Sequence, residues 1–217
     1  LTPERGRVDV TARGCRKPKS PILAASDLIA MGEYVLYRGK GHEMITGCEL
    51  TDSFYPLRTD ITLLSHASLM LSAAEAVAQR EEPAEHLFLL LGRSLARLSY
   101  GQGDPEPVTA AYLLHLMGIA GYRPDLSVCA QCGQVLAEGD AAHLVPEPAG
   151  LICPDCLRSA RPNLSYDTLA WLREVQTRGI DKTHLPPQND ALAPLLVYAQ
   201  HHLERRLPAI MGHDAPV

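Results

Sequence analysis

Four cysteines in two closely spaced pairs are the residues that point most directly to a chemical role. Two residues separate Cys129 from Cys132, twenty residues follow, and Cys153 and Cys156 repeat the first spacing. A two-residue gap lets both sulfurs of a pair reach one ion at ~2.3 Å, and four thiolates complete a tetrahedral zinc site. The spacing is typical of a zinc ribbon, so we predict one structural zinc ion and no open coordination position.

Two other interpretations of the cysteine pattern remain open. Each C-x-x-C pair could be a redox motif, although that motif is expected once and within a βαβ unit. A ribbon that folds without bound metal is the second alternative. His143 lies between the pairs, and we interpret it as a loop residue because four cysteines already complete the site. A nucleobase deaminase is excluded, because its H-x-E precedes P-C-x-x-C, whereas here His202-Leu203-Glu204 follows the cysteines.

Other catalytic and nucleotide-binding motifs are missing from the sequence. It has no G-x-x-x-x-G-K-[ST] phosphate loop and no G-x-S-x-G nucleophile elbow. None of its scattered histidines is paired in sequence with a nucleophile. We therefore interpret the chain as a binding protein and not an enzyme. An unrecognised zinc enzyme is a rival hypothesis, which a closed four-thiolate site argues against.

Charge is distributed unevenly along the chain. Residues 1–20 contain six basic and two acidic side chains, a formal charge of +4, which leaves −9 on the other residues because the total is −5. A basic segment on an acidic body indicates a local anion-binding surface, and a solvated loop is the alternative. Because no apolar run reaches the ~18 residues of a membrane span and no leader pattern is visible, we expect a cytoplasmic protein without membrane contact.

Hydrophobic periodicity predicts strands first and helices afterwards. Period-two alternation around Val8, Val10 and Ala12 predicts a first strand, and similar patterns predict strands at 29–37 and 44–54, joined by a hairpin turn at 38–41. From residue 60 the period becomes 3.6. Helices are predicted at about 63–77, from Pro83 to about 98, and at about 108–120. Two more are predicted from Ser165 to about Arg178, before Gly179, and from Leu192 to Leu207.

Several segments in this order resemble the RecO family of bacterial recombination mediators. The similarity covers nearly the whole chain. The matching segments are Leu1-Thr2-Pro3-Glu4-Arg5-Gly6-Arg7-Val8, Ala12-Arg13-Gly14, Arg16-Lys17-Pro18-Lys19-Ser20, Tyr37-Arg38-Gly39, Glu49-Leu50-x-x-Ser53-Phe54, Leu116-x-Gly118-x-x-Gly121-Tyr122-Arg123-Pro124-x-Leu126 and His202-Leu203-Glu204-Arg205-Arg206-Leu207.

The resemblance implies an α+β fold. Its parts would be an OB-fold at 1–56, a helical domain at 57–126 and 161–217, and an inserted four-cysteine zinc module at 127–160. The family has a further strand before the position of Leu1, so we expect an OB-fold missing its first strand. The predicted strands followed by helices agree with this order.

The resemblance also implies a function. RecO proteins bind single- and double-stranded DNA, anneal complementary strands, bind the C-terminal tail of single-strand binding protein, and act with RecR to load RecA. An OB-fold binds strands through a basic groove and aromatic platforms. Tyr34, Tyr37 and Phe54 are candidates for base stacking. Sequence-independent phosphate contacts are expected from Arg7, Arg13, Arg16, Lys17, Lys19, Arg38 and Lys40.

Three arginines in the helical part are further candidates. Arg205 and Arg206 match a basic pair in the family's last helix and would extend the DNA surface, and a solvated helix end is the alternative. Arg123 follows the third helix beside apolar residues, so it is a candidate for binding the acidic tail of single-strand binding protein. A protein-interaction adaptor with little DNA affinity is the alternative function.

Overall fold

The computed structural model describes residues 1–17, 19–20, 22–23, 26–39, 42–137, 139–158 and 161–211. These residues form a mixed α+β protein, with strands near the N-terminus and mainly helices afterwards. They divide into two compact units, the first made of Leu1–Leu64 and Ala78–Gly101 and the second of Ser65–Val77 and Gln102–Val217. Within the described ranges, no helix combines the length and the apolar character that a membrane span needs.

The described residues contain five strands and seven α-helices, in an order that the sequence largely predicts. Two short 3₁₀ helices, Ile180–Lys182 and Asn189–Ala191, lie between the last two α-helices. The strands are β1 (Val10–Thr11), β2 (Met31–Arg38), β3 (Glu43–Asp52), β4 (His143–Val145) and β5 (Gly150–Ile152), and the helices are α1 (Tyr55–Thr59), α2 (Ile61–Val77), α3 (Glu85–Tyr100), α4 (Pro105–Ile119), α5 (Pro154–Leu157), α6 (Tyr166–Arg178) and α7 (Leu192–His202).

The first unit contains a three-stranded sheet in the order β1-β3-β2. Strands β2 and β3 are antiparallel, as the hairpin prediction requires, while β1 runs parallel to β3. Glu43 of β3 pairs with Val10 of β1 on one side and with Arg38 of β2 on the other. The first strand is much shorter than the predicted alternation, since only two of its residues join the ladder.

The first residues of the chain form a tight turn that is anchored to the segment before α3. Thr2 and Gly6 form a β-bridge, Gly6 bridges Arg80, and the N–H of Arg7 donates to the carbonyl of Gln79 at 2.9 Å. Gly6 has φ +58°, and a Cβ at this position would collide with the carbonyl oxygen of Glu82. Only glycine fits this turn.

Helix α3 is amphipathic and buries one face of leucines. Leu87, Leu91, Leu95 and Leu98 are buried, and Gly101 is the C-cap of the helix. Its start was predicted at Pro83, but Ala84 is the N-cap, so the proline lies outside the helix.

The second unit has a helical core around α4. This helix is buried on nearly all sides, as its apolar sequence predicts, and the Tyr112 hydroxyl donates to the carbonyl of Met70 at 2.8 Å. It begins at Pro105, earlier than predicted, because the side chain of Asp104 accepts a hydrogen bond from the N–H of Glu106 at 2.9 Å. An aspartate cap followed by proline is a strong helix start.

The ends of α6 agree with prediction, whereas the end of α7 does not. Ser165 caps α6 by accepting from the N–H of Thr168 at 3.2 Å, and Gly179 ends it with φ +79°. Helix α7 stops at His202 instead of continuing to Leu207, because Glu204 adopts φ +48° and reverses the chain. The prediction that Arg205 and Arg206 lie in the last helix is therefore wrong. Beyond the reversal, Leu207 and Ile210 are buried.

Candidate metal centre and nucleic-acid interface

The four cysteines form one compact cluster in the second unit. All four Sγ atoms of Cys129, Cys132, Cys153 and Cys156 lie within 4.8 Å of one another. The Sγ atoms of Cys132 and Cys153 are 3.9 Å apart, close to the ~3.8 Å between ligands of a tetrahedron with ~2.3 Å zinc–sulfur bonds. Among the described residues no other group of His, Cys, Asp or Glu meets the same criterion. This geometry fits a metal with four thiolate ligands.

The first cysteine pair is held by a tight main-chain turn. The N–H of Cys129 donates to the carbonyl of Gln134 at 2.8 Å, and the N–H of Gly133 donates to the carbonyl of Cys129 at 2.9 Å. Gly133 has φ +75°, a conformation that its lack of a side chain makes accessible. The turn brings both sulfurs to the same side of the loop.

The second pair follows a short hairpin, as the twenty-residue spacing allows. Strands β4 and β5 pair through Leu144 and Leu151, both buried. Cys153 then precedes helix α5, and its N–H donates to the Sγ of Cys129 at 3.4 Å, which links the two pairs directly. His143 lies on β4, where its Nδ1 is 3.0 Å from the carbonyl oxygen of Arg161. It is outside the sulfur cluster, but it lies on a strand and not in a loop as predicted.

Electrostatics within the cluster favour ionisation of one thiol at the expense of another. Burial acts to raise the pKa of Cys129, but N–H groups of Cys153, Cys132 and Gln131 outweigh it and lower that pKa to about 6. Contacts with the Cys132 and Cys153 sulfurs raise the pKa of Cys156 to about 12. Four thiolates this close together repel one another, and a bound divalent cation would stabilise their ionised forms.

Helix α6 holds the loop that carries the first cysteine pair. The Arg173 guanidinium donates through Nε to the carbonyl of Leu126 at 2.7 Å and through Nη2 to the carbonyl of Leu136 at 3.0 Å. These carbonyls flank the Cys129–Cys132 turn, and both leucine side chains are buried. Gln176 adds a bond to the carbonyl of Pro124 at 3.0 Å. No motif marks Arg173 in the sequence, so its role was not predicted.

Five basic residues of the first unit are exposed in the loop after β1 and at the end of β2. Successive turns, such as Lys17 N–H to Gly14 carbonyl at 3.1 Å, shape the loop. Within the described residues, no side-chain hydrogen bond or ion pair neutralises the five cations of this group. Lys40, another candidate, lies outside the described residues. The five exposed cations are Arg13, Arg16, Lys17, Lys19 and Arg38.

Two other arginines of this unit are already paired with carboxylates. Arg7, a candidate phosphate ligand, is half-buried and lies 3.5 Å from Asp9, which Arg80 also contacts. Arg5 forms forked pairs with both Glu43 and Glu81, at 2.6 to 3.0 Å. Arg5 and Arg7 are therefore less available to bind an anion than the five exposed cations.

The three aromatic candidates differ sharply in exposure. Phe54 is only 2% exposed, so the prediction that it stacks on bases is wrong. Tyr34 is half-buried, and its hydroxyl donates to the carbonyl of Ala30 at 3.2 Å. Tyr37 is 58% exposed and lies next to Arg38 at the end of β2. Of the three, Tyr37 is the one that presents its ring to solvent.

The candidate arginines of the second unit lie in unlike surroundings. Arg205 pairs with Glu75 at 2.6 Å, whereas Arg206 is exposed and has no side-chain partner among the described residues. Arg123 is exposed shortly after α4, next to Tyr122, whose side chain is 46% exposed. Arg206 and Arg123 are thus accessible, while the charge of Arg205 is balanced in place.

Comparison with known protein families gives matches along nearly the whole chain. Residues 1–54 match the model described as "Recombination protein O N terminal". Residues 58–209 match the model described as "Recombination protein O C terminal". The residues between the two matches, 55–57, belong to α1.

Curated proteins named "DNA repair protein RecO" are similar to this chain. The protein from Symbiobacterium thermophilum is 28% identical over 95% of this chain and 85% of its own length. The protein from Nocardioides sp. is 29% identical over 97% and 88%, respectively. The protein from Alkaliphilus metalliredigens is 31% identical over 72% of this chain and 63% of its own length, so this alignment spans less than two thirds of that relative.

Proposed function

Because the chain belongs to the RecO family of DNA repair proteins, we propose that it is a recombination mediator that binds single- and double-stranded DNA. In this proposal it anneals complementary strands and acts with RecR and single-strand binding protein to load RecA, as part of the RecFOR pathway. We propose that it does so by binding and not by catalysis. We propose that it works at the nucleoid in the bacterial cytoplasm, because the DNA that it would bind is the chromosome.

The observation that carries the DNA-binding proposal is the group of exposed cations in the first unit. The chain has a net charge of −5, yet Arg13, Arg16, Lys17, Lys19 and Arg38 form no side-chain ion pair among the described residues. Cations left unpaired on an acidic protein attract phosphates, and the affinity does not depend on base sequence.

We assign the three-stranded sheet to an OB-fold that supports this group. The last two residues of β2 offer both contacts that single-strand binding needs. Arg38 can contact a phosphate, and Tyr37 can stack on a base. Arg206 would add a phosphate contact from the second unit. Arg7 and Arg205 would contribute less, because each already pairs with a carboxylate.

The four cysteines would hold one structural zinc ion. Four thiolates complete the coordination of zinc, so the bound ion would stabilise the fold and leave no position for substrate. The cluster would then fix the β4–β5 hairpin and the loop held by Arg173.

Protein partners are proposed from the same family relationship. The tail of single-strand binding protein is acidic with an apolar end, and exposed Arg123 beside exposed Tyr122 fits that chemistry. RecR would bind this protein on DNA. The two together would load RecA, so contact with RecA is indirect.

The alternative is an adaptor whose acidic second unit binds proteins and whose basic loop is incidental. Fluorescence anisotropy of a labelled single-stranded oligonucleotide separates the two hypotheses. The mediator binds at low salt, and log affinity falls linearly with log salt concentration. The adaptor shows no such binding. Annealing of complementary labelled strands, followed by fluorescence transfer, tests the finer activity.

A further inference from the structure

Arg5 sits at the centre of a saturated charge cluster in the first unit. Its Nη1 and Nη2 donate to the two carboxylate oxygens of Glu43 at 3.0 Å each. Its Nε and Nη2 also donate to the two oxygens of Glu81 at 2.8 and 2.6 Å. A guanidinium has five N–H donors, and four bonds to carboxylates leave almost none for another anion. Arg5 is therefore basic in the sequence but unavailable to phosphate.

The cluster lies beside a candidate phosphate ligand. Glu43 pairs in the sheet with Arg38, which is exposed and has no ion pair among the described residues. The pKa of Glu81 is lowered first by its hydrogen bonds to Arg5, and the positive charge of Arg38 lowers it further. Arg38 is thus the ladder neighbour of Glu43, and Glu43 and Glu81 are joined through Arg5.

We propose that Arg5 is a positioning residue for nucleic-acid binding, which occupies Glu43 and Glu81 so that Arg38 stays free for a phosphate. This inference rests on the proposed DNA-binding function. Without Arg5, two carboxylates would compete with the phosphate for Arg38 and would repel the DNA backbone. A bidentate guanidinium suits this role, because its fork matches a carboxylate on each side.

The test is an anisotropy salt series with a labelled single-stranded oligonucleotide. Arg5→Met should weaken binding about 3- to 10-fold at low salt and reduce the salt slope by about 0.7, the value of one lost phosphate contact on a single strand. Arg5→Met/Glu43→Gln should recover most of the affinity at low salt and most of the salt slope. The matched control, Arg5→Met/Glu33→Gln, has the same formal charge but removes a carboxylate at the far end of β2, and it should recover neither.

Each contrary outcome identifies a different error. If Glu33→Gln rescues as well as Glu43→Gln, net charge is responsible and the inference is wrong. If neither double variant rescues, Arg5 contacts phosphate itself. Unchanged binding by Arg5→Met overturns only the inference, whereas no salt-dependent binding by the unaltered protein overturns the proposed function as well.

Further substitutions are needed if Arg5→Met loses its fold, which circular dichroism would detect. If Arg5→Met alone does not fold, it is introduced into Glu43→Gln/Glu81→Gln, where no bare carboxylates remain. The inference predicts that this triple variant has the salt slope of the unaltered protein, because Arg38 again has no bare carboxylate beside it. A fall by about 0.7 would show that Arg5 is itself a phosphate ligand.

Discussion

The Sγ atoms of Cys132 and Cys153 lie 3.9 Å apart although 21 positions separate these residues in the chain. A disulfide would need ~2.05 Å, while sulfurs that share a tetrahedral zinc ion are about 3.8 Å apart. The β4–β5 hairpin and the turn at Gly133 produce this distance. The cluster is therefore arranged for a shared ion, and the first two predictions concern it.

Cys153→Ser should abolish stoichiometric zinc binding and loosen the second unit. The protein should lose its bound zinc, measured by elemental analysis, and melt at a lower temperature because the two cysteine pairs are no longer linked. DNA binding through the basic loop should persist, since the loop belongs to the first unit. Cys48→Ser is the control and should retain one zinc ion. Loss of all DNA binding while the β2–β3 sheet remains folded would contradict the account.

Arg173→Met should destabilise the cysteine segment without removing a ligand. Two charged hydrogen bonds to the carbonyls of Leu126 and Leu136 are lost, and we expect about 2 kcal/mol less stability against urea. Arg178→Met is the control on the same helix, because Arg178 is exposed and its nearest approach to Glu174 is 3.8 Å. Equal stability of the two variants would show that Arg173 does not support the segment.

Glu174 should make the second unit acid-sensitive. The Thr183 hydroxyl, with the N–H groups of Leu185 and His184, holds the pKa of Glu174 at about 2, below the ordinary 4.5. A depressed pKa stabilises the folded state above the ordinary value, and that contribution is lost as the pH falls from 4.5 towards about 2. The unaltered protein should therefore lose more urea resistance between pH 7 and pH 3 than Glu174→Gln does. Equal losses would exclude this role.

Tyr37→Ala should weaken single-strand binding more than double-strand binding. Stacking on one base contributes about 1–3 kcal/mol, and the bases of a duplex are not open to the ring. The salt slope should not change, because no phosphate contact is removed. Tyr55→Ala is a matched control in the same unit, since Tyr55 is 63% exposed. An equal effect of the two substitutions would argue against stacking by Tyr37.

Local signals explain what the sequence could predict. The spacing of the four cysteines predicts that their sulfurs cluster, and Ser165 and Gly179 mark both ends of α6, because each signal depends on a few neighbouring residues. The end of α7 was missed because the reversal depends on Glu204 adopting φ +48°, which glutamate rarely does.

Long-range contacts explain what the sequence could not predict. Arg5 looked like any other cation of the basic segment, and its partners Glu43 and Glu81 are 38 and 76 positions away. Arg173 likewise binds carbonyls 47 and 37 positions away. The burial of Phe54 could not be predicted, because it depends on tertiary packing and not on residue type alone.

The central claim is that exposed cations of the first unit bind DNA through its phosphates. Anisotropy of a labelled single-stranded oligonucleotide over a salt series, with Arg13→Glu and Lys17→Glu beside the unaltered protein, tests it most directly. We predict linear loss of log affinity with log salt and a smaller slope in each variant, by about 0.7 or more. The contrary result, no binding at low salt or identical slopes in all three proteins, would remove the basic loop from the DNA interface.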